Sequence, residues 1–240
     1  MVSRQLQGSG GHKHIAAQEN MQAPPYYPAI STESPAMAAN YVQIRQTSEP
    51  IEGTFTIDPE VRIPPWMLPP LQPGCGATRP HLFLESKNNS VDVLVHLVHS
   101  RAGRTTAFED SPAPTRILLE ASGHRGVSLA ISPRSPRSCN HLRFCLKVTV
   151  SYGKTVLRLP PDFHGPIRYT TSTTQVRFSP GVREKILALT QDSRTGSCFI
   201  GEWPSSESEE DDAVWTGDEI EIAGGGEKID FFLWGETNAQ

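Results

Sequence analysis

Paired cysteines are missing from this chain of 240 residues. Cys75, Cys139, Cys145 and Cys198 form no Cys-x-x-Cys pair, which excludes a zinc knuckle and a dense disulfide framework and leaves reduced thiols. Long apolar runs are missing too. None approaches the roughly 18 to 20 residues that cross a bilayer as a helix, and the amino terminus lacks the apolar core of a signal peptide. The expectation is therefore a soluble chain of the cytoplasm or nucleus. Aromatic residues amount to only 8%, which is thin material for stacking nucleic-acid bases. No spacing sets a nucleophile beside a base or a thiol beside a histidine, so the chain reads as a non-enzyme without a cofactor.

Proline and glycine, by contrast, are plentiful at 21 and 19 residues, against a hydrophobic share of 37%. Residues 1–49, rich in Gln, Ala and Ser with scattered Pro and Gly and with apolar residues that keep no period, read as a disordered tail that cannot offset the entropy of ordering. Order is expected from about 50 to 237. Ile51, Phe55 and Ile57 share the parity of a strand with one buried face. The proline-rich run 63–71 is too rigid for a helix or central strand and reads as an extended strap, with Trp66, Met67, Leu68 and Leu71 covering a sheet edge.

From His81 onward one unit recurs: an alternating apolar run, a tight polar or glycine turn, then a second alternating run. The copies are Leu82-x-Leu84 with Val91 to Leu97, Ile117-x-Leu119 with Val127 to Ile131, and Leu146 to Val150 with Thr155 to Leu159. A weaker fourth copy pairs Ile167 to Thr171 with Val176-x-Phe178, and the fifth pairs Ile220-x-Ile222 with Ile229 to Leu233. Branched and aromatic runs with Asn or Gly between them predict an all-β domain of stacked β-hairpin repeats, toastrack-like or solenoid-like. At most one short helix is expected, beginning at Ser179-Pro180 with a serine cap and a proline in the first turn. The insertions at 101–114, 132–138 and 205–212 read as surface loops.

These residues resemble an uncharacterised fungal domain of unknown function. The resemblance rests on the run Ile51 to Pro59, on Leu68-Pro69-Pro70-Leu71, on Leu84 to Ser90, and on Leu159-Pro160 with Phe163 and Gly165-Pro166. It continues through Cys198 to Trp203 and through Trp215 with Gly217-Asp218-Glu219. That family is in turn similar to bacterial putative adhesin, or toastrack, domains, which implies stacked strands and an interaction role. No catalytic residue comes with it. The chain departs from the pattern at 122–126 and 224–228, where glycine-rich turns replace Asn-Gly.

Charge is the most unusual feature. Residues 121–201 carry twelve Lys and Arg against three acids, a net +9, whereas 202–230 carry eleven acids against Lys228, a net −10. With Leu157, Leu159, Ile167, Tyr169, Val176 and Phe178 inward, Arg158, Arg168 and Arg177 point outward and are expected to form a stripe for a polyanion or an acidic partner. The competing reading is that the acids of 207–212 and 218–221 neutralise that stripe within the fold.

Other motifs are weaker. His96 and His99, three apart on a strand, face opposite sides and make a poor metal pair. His12 and His14 fall in the tail. Gly224 to Lys228 lacks the Ser/Thr and helix of a phosphate loop and reads as a turn. Asn88-Asn89-Ser90 matches a glycosylation sequon but reads as turn chemistry. Pro24-Pro25-Tyr26-Tyr27 matches the ligand pattern of WW domains, with Pro24, Pro25 and Tyr27 as anchors. Ser132, Ser135, Ser206 and Ser208 are placed for phosphorylation as a charge switch. The function expected from all this is a non-catalytic interaction or scaffold module. The alternatives are a hydrolase acting on carbohydrate with a loop-built site drawn from Asp162, Asp218 or Glu219, and a polyanion binder of nucleic acid or anionic lipid.

Overall fold

Alternating apolar residues need a dry surface on one side only, and this chain supplies that surface by facing two sheets across one core. The computed structural model describes residues 37–68, 79–99, 114–135, 142–172, 175–202 and 215–236. Its strands are β1 (Val42–Gln46), β2 (Ile51–Ile57), β3 (Leu82–Ser86), β4 (Val91–Leu97), β5 (Thr115–Gly123), β6 (Gly126–Ile131) and β7 (Leu142–Val150). They continue as β8 (Lys154–Leu159), β9 (Gly165–Thr171), β10 (Val176–Phe178), β11 (Ile186–Gln191), β12 (Thr195–Ile200), β13 (Glu219–Gly224) and β14 (Lys228–Leu233). One short helix, α1 (Pro180–Glu184), begins as the sequence predicts, with the Ser179 hydroxyl accepting from the Val182 amide.

The eight-stranded sheet runs β1-β3-β5-β7-β13-β9-β12-β11, and the six-stranded sheet runs β10-β14-β8-β6-β4-β2. The runs expected to be buried are buried: Val91, Val93, Val95, Ile117, Leu119, Leu129, Phe144, Leu146, Leu157, Ile167, Ile220 and Phe231 all lie in the shared core.

The expected hairpins are corrected. The two strands of each unit do not pair with each other; one enters each sheet, and each pairs in parallel with its counterpart in the neighbouring unit, β3 with β5 and β4 with β6. The intervening turns are therefore arches that carry the chain from sheet to sheet, and they stack as the strands do. His124 donates its amide to the Asn89 carbonyl at 3.0 Å, Tyr152 to His124 at 2.8 Å, and Gly225 to Val150 at 2.9 Å. Stacked turns leave no room for side chains at certain points. Gly224 has φ of +142°, and a Cβ there would lie 1.8 Å from the Val150 carbonyl oxygen, which is why glycine stands in this turn instead of Asn-Gly.

Other expectations also change. Strand β1 falls inside the segment 1–49 read as tail, and Ala39 of the same segment bridges Ile57. Over its described residues, 63–68, the strap forms a single 3-10 turn at Pro65–Met67, and Trp66 is exposed instead of sealing an edge; Leu71 lies outside the described residues. The hairpin that does form among the described residues, β11 with β12, belongs to none of the five repeats. The last arch in sequence, β13–β14, is not last in space: β13 pairs with β7 and β9, and β14 with β8 and β10.

Candidate functional site

The insertion of β13–β14 decides where the charges go. On the outward face of the eight-stranded sheet, Glu221 lies in register with Lys147 on one side and Arg168 on the other. Glu219 accepts from Arg168 at 2.6 Å and also pairs with Arg116. Acids from the acidic stretch are thus threaded between basic strands, and the predicted neutralisation takes place on this sheet.

The three arginines do not share a face. Arg168 belongs to the eight-stranded sheet, whereas Arg158 and Arg177 lie on the outward face of the six-stranded sheet. There β14 separates them, and it sets Lys228, read from sequence as part of a turn, beside Lys154 of β8. Lys154 and Lys228 are register partners, and both reach the Asp230 carboxylate, at 2.8 and 3.0 Å. Burial alone would push the Asp230 carboxyl up, but the two ammonium groups outweigh it and hold the carboxyl below its ordinary range. Arg177 stands in register with Asp230, and the Arg158 guanidinium lies 5.5 Å from the Phe232 ring centroid. Three adjacent strands therefore present Lys154, Arg158, Arg177 and Lys228 around the single acid Asp230. The clue was present in the sequence: Lys228, Asp230 and Phe232 occupy the alternate, outward positions of the fifth repeat.

A second polar cluster is buried where the loops after β6 and β8 meet the entry to β13. Arg134, whose side chain is fully buried, donates to Asp218 at 2.8 and 2.9 Å, to the Asp162 carboxylate at 2.8 Å and to the Leu142 carbonyl at 2.8 Å. Asp218, equally buried, also accepts from the amides of Phe144 at 3.1 Å and His164 at 3.4 Å. Asp162 and Asp218, two of the carboxylates considered for hydrolysis, thus converge on one guanidinium. Each charge has partners matched to it, which is how buried ions are tolerated. The reading of 132–138 as wholly surface loop is corrected for its first residues, since Ser132 and Arg134 are both buried. Nothing in the Ser-Pro-Arg spacing signals this, because the partners come from 28 and 84 residues away.

His164, Phe199 and Trp215 form a closed aromatic cluster with centroids 5.3 to 5.5 Å apart, and the Trp215 indole donates to the Asp218 carbonyl at 2.8 Å. Trp215 thus packs against the entry to β13, and Trp203 lies outside the described residues. His96 shares a 2.8 Å hydrogen bond with Ser132, and among the described residues no group of three or more His, Cys, Asp or Glu is placed to hold a metal. Burial pushes the Cys198 thiol up to about 12 and the Cys145 thiol upward as well. The WW-ligand motif Pro24, Pro25 and Tyr27, the histidines of the tail and the acidic run 205–212 all lie outside the described residues. Among the described residues, no helix is long and apolar enough to cross a membrane.

No curated protein matches the chain. Among solved structures, one described as a putative cell adhesion protein from Clostridium sporogenes covers 81% of this chain and 93% of its own, at 6% identity and a TM-score of 0.29, a likeness too slight to carry an argument. The model of a domain of unknown function, DUF7330, matches residues 40–236, which takes in every strand described above, and the chain belongs to that family.

Proposed function

We propose that this domain is a non-catalytic interaction module that docks an acidic protein surface on the outward face of the six-stranded sheet. The observation that carries the reading is the set Lys154, Arg158, Arg177 and Lys228 grouped about one carboxylate on three adjacent strands. The three strands lie side by side at about 4.8 Å spacing, so the fields of the four cations add over one part of the face. An interaction role is also what the sequence resemblance implies. A nucleic acid would meet the same cations, but the Phe232 ring beside them is already taken by Arg158 and is not free to stack a base. A hydrolase reading loses its support where Arg134 occupies both Asp162 and Asp218.

The test is binding of the full chain to poly-L-glutamate, with an oligonucleotide of equal charge beside it, over a series of salt concentrations. Arg158→Glu with Arg177→Glu is expected to weaken poly-glutamate binding at least tenfold while Arg168→Glu changes it little. Equal loss in both variants, or preference for the oligonucleotide, would overturn the reading.

A further inference from the structure

The face that carries the basic cluster has a second, opposite end. Along one row of the six-stranded sheet the register runs Glu52, Asp92, Ser128, Val156, Asp230, Arg177. The next row runs Thr54, Leu94, Ala130, Arg158, Phe232. Two exposed acids thus occupy β2 and β4, small or apolar residues fill the middle, and the cations occupy β8, β14 and β10. The salt bridges among the described residues include neither Glu52, Asp92 nor Arg177. The sheet is polarised across its width and is its own electrostatic complement.

We infer that the acidic surface docked by this domain is a second copy of the same chain, joined face to face through the six-stranded sheets; the inference rests on the function proposed above and names its partner. A two-fold axis running along the strands between β6 and β8 sets β2 over β10 of the second copy and β4 over its β14. Glu52 then meets Arg177 of the second copy, Leu94 meets its Phe232, and Asp92 stands over its Asp230, whose carboxylate already lies between the Lys154 and Lys228 ammonium groups. The alternative axis, perpendicular to the strands, would lay acid on acid and base on base. Symmetry repeats each contact, so every favourable pair occurs twice, as an isologous interface requires. Six strands about 4.8 Å apart and some five residues long give a face of roughly 24 by 17 Å, or about 800 Å² over both copies. That lies below the standard interface size and sets a weak association, steered by charge and sensitive to salt.

The experiment is sedimentation velocity on the full chain over a wide concentration range, at low and high salt. The wild type is expected to form dimers that dissociate at least tenfold more readily at high salt. The acid-reversed variant, Glu52→Lys with Asp92→Lys, and the base-reversed variant, Arg158→Glu with Arg177→Glu, are each expected to be monomeric. Mixed together they are expected to form a heterodimer, because each reversal restores the complement of the other. Circular dichroism and thermal melts matching the wild type establish that the variants are folded; for one that is not, the single change Asp92→Lys or Arg177→Glu takes its place. A monomeric wild type at every concentration, or variants that fail to recover association when mixed, would overturn the inference. Poly-glutamate binding separates the two ideas: a monomer that still binds it through Arg158 and Arg177 retains the proposed function and loses only the second copy as partner.

Discussion

Replacing Asp218 by alanine strands a guanidinium in the protein interior. The Arg134 side chain has no solvent exposure and would lose its hydrogen bonds at 2.8 and 2.9 Å to the missing carboxylate, while the Phe144 amide would lose an acceptor at 3.1 Å. Breaking a buried ion pair by removing one partner costs about 3–5 kcal/mol. Asp162, still bonded to Arg134 at 2.8 Å and with a side chain 35% exposed, offsets part of the cost. The expected loss is therefore about 3 kcal/mol, read as a lower midpoint in urea denaturation followed by tryptophan fluorescence, with the slope unchanged. Arg134→Met combined with Asp218→Leu removes both charges and should lose much less than the two single changes added together. As a control, Arg168→Ala at the 61% exposed end of the Glu219 pair should cost less than about 1 kcal/mol. A loss for Asp218→Ala no larger than that control, or additivity in the double variant, would refute the assignment of this cluster as the clasp joining the loops.

Gly224→Ala forces a Cβ to 1.8 Å from a carbonyl oxygen at φ +142° and should lower stability by about 2–3 kcal/mol, measurable as a fall in Tm; an unchanged Tm would mean the turns do not stack as described. Asp230 ionises below its ordinary range in the folded chain, so its contribution is present above pH ~4 and is lost as pH falls through the folded value. Asp230→Asn should accordingly destabilise the protein most near pH 6 and progressively less as pH falls below ~4. The Cys198 thiol, pushed up to about 12, keeps its proton in the folded state where the unfolded chain has lost it, so stability should fall as pH rises above ~8.5. Cys198→Ala should flatten that alkaline slope, and a slope equal to the wild type would refute the burial argument.

The sequence by itself determined which residues turn inward. Alternation at Val91, Val93 and Val95, or at Leu157 and Leu159, admits a strand with one buried face, and these residues are in the core. It also determined the start of α1, because a serine followed by proline acts within one turn. What it left open was pairing. A period of two is the same whether the next run folds back beside the first or crosses to a facing sheet, so hairpin and arch share one pattern, and stacking on the preceding unit chose the arch. Spatial order was equally beyond reach. Only the tertiary structure slots β13–β14 between β7–β8 and β9–β10, which neutralises Arg168 with Glu219, gathers Lys154 and Lys228 about Asp230, and divides the predicted arginine stripe between two faces. Arg134 shows the same limit most plainly: its partner Asp218 is 84 residues away, and long-range charge pairing leaves no mark on local spacing.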